Sequence, residues 1–123
     1  MRPAIEMALE RILRQPEFLV SPRLSAFLHY IVSETLVGRA GRLKGETIAV
    51  AVYGRHETFN PQTGSIVRVE ALRLRRMLDA YNAGPGINDP IMIELPRGSY
   101  VPKFTARAQP VVANNNIAAR VNP

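Results

Sequence analysis

The chain has 123 residues, 46% of them apolar and 21% charged, which is ordinary globular composition, enough for one domain and too little for two. Its formal charge is +6 and its pI about 10.5, an excess that favours an acidic partner such as nucleic acid or an anionic membrane surface. It has no cysteine, which excludes disulfide frameworks, cysteine-ligated zinc and thiol catalysis.

Residues 3 to 15 read as a helix. Pro3 suits a first turn, Ile5, Leu9, Ile12 and Leu13 follow helical spacing, and Pro16 ends the run. A second helix opens at Ser21 as N-cap with Pro22 behind it. Leu24, Phe27, Leu28, Ile31 and Thr35 form its stripe with Val32 and Leu36, and Gly38 closes it. After a polar turn from Arg39 to Gly45, the segment Glu46 to Tyr53 fits two patterns. Ile48, Val50 and Val52 alternate as in a strand, whereas Ile48 with Val52 and Ala49 with Tyr53 pair as in a helix. Residues 55 to 64 read as a polar loop, with Asn60-Pro61 as its turn and Phe59 tucked against the core. Ser65 caps the next expected helix, residues 65 to 82. Val67, Ala71, Leu74, Leu78 and Tyr81 make its buried stripe, and Arg68, Arg73, Arg75 and Arg76 lie mostly off it.

The last ordered piece reads as a hairpin. Ile91, Ile93 and Leu95 alternate with Met92 and Glu94; Pro96-Arg97-Gly98-Ser99 turns; Tyr100 to Phe104 returns as an edge strand containing Pro102. From residue 105 to 123 the chain has no period and reads as a disordered tail or linker. No apolar run approaches the roughly 20 residues of a membrane span. Glu6 and Glu10 interrupt the N-terminus where a secretory signal keeps an apolar core. A cytoplasmic chain without membrane contact is expected.

The order helix, turn, short second element, arginine-bearing helix and hairpin is functionally pointed. A major groove admits one α-helix, and side chains with fixed hydrogen-bonding forks read base edges there. Only Lys44 and Lys103 among the basic residues are lysines. Arginine is the better fork for phosphate and guanine, although a genome rich in arginine codons leaves the same excess. The stretch Ser65-Ile66-Val67-Arg68-Val69-Glu70-Ala71-Leu72-Arg73-Leu74-Arg75-Arg76-Met77-Leu78, followed by Pro96-Arg97-Gly98-Ser99-Tyr100-Val101, resembles the C-terminal half of OmpR/PhoB-class winged-helix output domains. It is also similar to bacterial winged-helix modules at the N-termini of larger proteins. The resemblance covers roughly residues 21 to 104.

It implies a mainly α protein with a small β-hairpin (α+β), a winged helix-turn-helix with an extra N-terminal helix in residues 1 to 20. Arg68, Glu70, Arg73 and Arg76 would face bases and phosphates, Arg97 would work from the wing, and Tyr100 would anchor it. Lys44 and Thr47 would touch the backbone from the supporting helix. Leu72 and Met77 depart from the family pattern, which commonly has basic residues there, and the usual N-terminal sheet is missing.

The expected function is sequence-specific transcription regulation on double-stranded DNA, at the nucleoid. The alternative is a winged-helix protein-interaction module, with Leu72 and Met77 as its apolar patch. The arginines also have a plain explanation, as a solvated face paired with Glu70 and Asp79. The stripe Ile5, Leu9, Ile12 and Leu13 either covers the core or pairs with a second copy in a homodimer. His29 and His56 stand on different elements, so no metal, cofactor or enzyme chemistry is expected.

Overall fold

The computed structural model describes residues 1–54 and 61–107, and of residues 61–65 the backbone alone. Within these, helices α1 (Arg2–Leu13), α2 (Pro16–Leu19) and α3 (Pro22–Leu36) come first. A single 3-10 turn (Ala40–Arg42) and helix α4 (Gly45–Tyr53) follow. Helix α5 (Pro61–Ala83) and strands β1 (Ile91–Glu94) and β2 (Lys103–Ala106) complete the order. The architecture is mainly helical with one two-stranded antiparallel sheet. No helix among the described residues is long and apolar enough to cross a membrane.

Prolines punctuate the N-terminal half. Each of α1, α2 and α3 has a proline in its first two positions, where a missing N–H costs nothing and the fixed φ suits the helix. Pro16 therefore ends α1 and at once starts α2, a short helix that the periodicity does not reveal. Gln15 before it is extended, as a residue preceding proline must tend to be. Ser21 stands at the N-cap position of α3 but makes no side-chain cap bond. At the other end of α3, the Gly38 N–H donates to the Thr35 carbonyl at 3.1 Å and the Arg39 N–H to that of Glu34 at 2.8 Å. Gly38 has φ 85°, so this is a Schellman closure that a side chain would strain. Arg39 also pairs with the Glu34 carboxylate through Nε at 2.9 Å and Nη2 at 2.8 Å. Those hydrogen bonds hold the Glu34 carboxyl below its ordinary pKa.

The ambiguous segment is helix α4. Ile48 and Ala49 are buried, Val50 and Ala51 are exposed, and Val52 and Tyr53 pack against the core again, a return every four residues that fits a helix and not the alternation of a strand. Helix α5 starts at Pro61, so Ser65 lies inside it and is not its cap. Phe59, His56 and Asn60 fall outside the described residues.

One continuous core joins these elements. Ile5, Ala8, Leu9 and Ile12 of α1 are buried with Phe27, Leu28 and Ile31 of α3 and with Val67, Ala71, Leu74 and Leu78 of α5. The N-terminal stripe is thus covered by the chain's own core, with Leu13 half-buried at its edge. The strands pair Ile91 with Ala106, Met92 with Thr105, Ile93 with Phe104 and Glu94 with Lys103. The return strand therefore runs two residues past the expected end at 104, and Tyr100, Val101 and Pro102 belong to the connecting loop. Thr105 and Ala106 are strand, not tail. Residues 108–123 fall outside the described residues.

Four ladder pairs are too few to hold a hairpin alone. Arg107, just past β2, anchors its end. Nη1 donates to the carbonyls of Gly86 at 2.6 Å and Asp89 at 3.0 Å, and Nη2 to that of Asn82 at 3.3 Å, at the C-terminus of α5. A cation at that pole meets the negative end of the helix dipole. Beside it the Tyr81 hydroxyl donates to Asp89 Oδ2 at 2.5 Å, and Arg11 Nε lies 3.4 Å from Oδ1. Burial first, then the Asp89 carboxylate, push the Tyr81 hydroxyl up to about 12.

Candidate nucleic-acid interface

The buried stripe of α5 decides which of its side chains point away. Arg68, Val69, Leu72, Arg73 and Arg76 are exposed. Arg75 sits on the shoulder of the stripe, half-buried, next to Leu74 and one turn after Ala71. Its guanidinium reaches the base of the hairpin loop, donating from Nε to the Leu95 carbonyl at 2.8 Å and from Nη2 to the Pro96 carbonyl at 3.1 Å. One rigid fork thereby ties helix to loop.

The loop, residues 95 to 102, turns through Gly98 at φ 75°, a left-handed conformation that favours glycine. The Ser99 N–H donates to the Pro96 carbonyl at 3.3 Å, and Ser99 Oγ accepts the Val101 N–H at 3.0 Å. Arg97 is exposed at the tip. Tyr100 is half-buried, its ring 6.5 Å from that of Phe27, which Tyr53 meets edge-on from elsewhere at 6.3 Å. Between α5 and the loop lies a cleft of about 390 Å³, lined by Arg68, Ala71, Arg75, Gly98, Ser99 and Tyr100.

Arg73 and Arg76 stand on the other flank of the same exposed face. With Glu17, Phe18 and Met77 they line a cleft of about 220 Å³ between α5 and α2. Arg73 Nη2 donates to Ser21 Oγ at 3.2 Å, and Nη1 lies 3.8 Å from Glu70 Oε2. Glu70 turns inward: the Tyr53 hydroxyl donates to its Oε1 at 3.5 Å. Burial, then this carboxylate, raise the Tyr53 pKa. The Arg23 guanidinium lies 5.9 Å from the centre of the Tyr53 ring, within cation–π reach. The expected pairing of the arginines with Glu70 thus exists for Arg73, while among the described residues no ion pair involves Asp79.

The expected residues therefore divide. Arg68 shares the loop-side cleft, Arg73 and Arg76 share the α2-side cleft, and Arg97 stands at the loop tip. Glu70 is committed to Tyr53 and Arg73. At the start of α4, Lys44 is exposed, but Thr47 is engaged locally: Oγ1 accepts the Lys44 N–H at 3.0 Å and donates to the Arg42 carbonyl. Met77 does not join Leu72 in an apolar patch. It is half-buried against the core, and the exposed neighbour of Leu72 is Val69. His29 is exposed on α3, and no group of metal-binding side chains occurs among the described residues.

Sequence reasoning misses Arg75 and Arg23. A helical wheel could have flagged Arg75, because it falls beside the buried stripe where a long side chain must cross to a neighbouring element. Arg23 carries no such signal. Compared with known proteins, the chain matches no family model, no curated protein and no solved structure.

Proposed function

We propose that this chain is a winged helix-turn-helix module that binds double-stranded DNA and regulates transcription. In this reading α3 and α4 brace α5, the exposed face of α5 enters the major groove, and the loop 95 to 102 is the wing. The observation that carries it is a single helix. Arg68, Arg73 and Arg76 project outward from a deeply buried stripe, and Arg75 of that helix fastens the loop bearing Arg97. Helix and loop are held in one mutual geometry before any partner arrives, so little ordering entropy opposes binding.

Roles follow from position. Arg73 and Arg76 contact bases or phosphates, Arg68 a phosphate beside the wing, and Arg97 the adjacent groove or backbone. Lys44 meets a phosphate from the start of α4, where Thr47 contributes by capping. Glu70 positions Arg73.

The test is fluorescence anisotropy on duplexes selected from a random pool. Affinity is expected to fall with salt at a slope of at most about −4.5, if Arg68, Arg73, Arg76, Arg97 and Lys44 each displace one counterion. Arg73→Ala with Arg76→Ala is expected to abolish specific binding while leaving the circular dichroism unchanged. Wild-type affinity in that double variant would refute the proposal. A module that binds protein through Val69 and Leu72 would instead enrich no duplex.

A further inference from the structure

The outward face of α5 is not uniformly polar. Val69 is 60% exposed and Leu72 44% exposed. Three positions apart on a helix, their side chains are neighbours. The same spacing places Arg68 and Arg76 one turn before and one turn after Leu72, and Arg73 one turn after Val69. The pair is thus an apolar strip bordered by guanidinium groups. Single exposed apolar residues are commonplace; what distinguishes this pair is its place in the middle of the charged face.

Base edges in the major groove present donors and acceptors, with one apolar feature, the C5-methyl group of thymine. An aliphatic side chain pressed against a guanine or cytosine edge strips water from polar atoms and returns no hydrogen bond. Against a thymine methyl it buries apolar surface on both sides. The bordering arginines supply the attraction to phosphate that an isolated aliphatic strip lacks.

We infer that Val69 and Leu72 are specificity-determining residues that pack on thymine C5-methyl groups, so that the bound site carries thymine under the middle of α5. This rests on the DNA-binding reading and adds to it the chemical group that is recognised.

The experiment uses the full chain and the duplex most enriched from a randomised pool. Each thymine is replaced in turn by deoxyuridine, which keeps base pairing and every hydrogen-bonding group and loses only the methyl. One or two positions are expected to weaken binding by about four-fold each, the worth of one buried methyl. Val69→Ser and Leu72→Gln, both at exposed positions and both placing a polar group where the methyl contact would be, are expected to keep the melting temperature and to bind thymine and deoxyuridine alike at the position each side chain covers. If an enriched duplex binds equally well with deoxyuridine at every thymine, the inference is overturned while DNA binding stands. If both variants still discriminate the methyl as the wild type does, Val69 and Leu72 are not its readers. If no duplex is enriched, DNA binding itself fails and the inference falls with it.

Discussion

Arg75→Met tests whether one guanidinium sets the geometry of helix and hairpin loop. Methionine keeps the aliphatic stem and removes both donors. Hydrogen bonds from a charged group contribute about 1.5–3 kcal/mol when buried, but this guanidinium is half-exposed and Pro96 is exposed, so both must be discounted. Leu95 is only 2% exposed, and leaving its carbonyl without a partner is the larger cost. The expected loss is about 2 kcal/mol in all, near 8 °C in melting temperature for a domain of this size. Lysine at this position keeps the charge but has no fork, so Arg75→Lys should recover roughly half. Urea denaturation followed by circular dichroism gives the stability, and amide exchange reads the loop directly, with Ser99 and Val101 expected to lose protection first. On DNA, the loosened loop must be ordered at binding, which should weaken affinity roughly five-fold beyond any unfolding. Arg97→Ala should then cost less in the Arg75→Met background than alone, because the two act through one element. A wild-type melting temperature together with unchanged loop protection would refute the reasoning.

Three further outcomes are expected. A methyl at Gly86 would lie 2.1 Å from Tyr81 Cε2, so Gly86→Ala should destabilise the fold by about 1–3 kcal/mol through displacement of the ring. Gly41→Ala meets nothing within 4 Å and should be neutral or better; equal melting temperatures for the two would contradict the packing described. The Tyr81 pKa is raised from 10.0 to about 12, so the folded state holds this proton more tightly than the unfolded state. The stabilisation is complete below pH 10 and is lost as pH rises from 10 towards 12. Urea midpoints measured across that window should fall less steeply for Tyr81→Phe than for the wild type. Finally, Arg76→Gln should reduce the salt slope of DNA binding by about 1, whereas Arg39→Gln, which removes a side chain paired with Glu34, should leave it unchanged.

Most of the architecture can be read from spacing, because burial on one face imposes a period. Val67, Ala71, Leu74, Leu78 and Tyr81 are all buried, as their helical interval predicts. Ambiguity arises where two periods fit the same residues. Ile48 to Tyr53 contains β-branched side chains suited to a strand, and the helix is decided by packing that buries Ile48 and Ala49 and brings Val52 and Tyr53 back to the core four residues on. Boundaries are harder because they depend on groups that leave no periodic mark. Pro61 rather than Ser65 begins α5, and the return strand extends to Ala106. Of the candidate interface, the outward positions of Arg68, Arg73 and Arg76 follow from the stripe, and the exposed turn at Arg97 follows from Gly98. The tie made by Arg75 does not, since its partners are main-chain carbonyls about twenty residues on, and a carbonyl has no signature in the sequence.

The arginine excess therefore has two physical uses, and they divide by what each guanidinium already touches. Arg75 and Arg107 satisfy main-chain carbonyls at the two ends of the hairpin. Arg2, Arg14 and Arg39 pair with carboxylates on their own or an adjoining turn, and Arg11 pairs with Asp89 across elements. The carboxylate-paired charges cancel locally, whereas Arg75 and Arg107 keep their full charge and are only fixed in place by neutral carbonyls. A planar fork suits the hairpin ends because two fixed donors can meet two carbonyls at once, where an ammonium offers a point charge. The formal charge of +6 already subtracts every carboxylate, so the carboxylate pairs shape where the field is rather than how large it is. Among the described residues, Arg68, Arg73 and Arg76 on α5, Lys44 at the start of α4, Arg97 at the loop tip, and Arg23, Arg42 and Lys103 elsewhere are exposed cations, and Glu70 offsets part of Arg73. In the proposed reading, the part of this set concentrated on the α5 face and the loop gives the field a direction, which would orient a duplex across α5 as well as attract it.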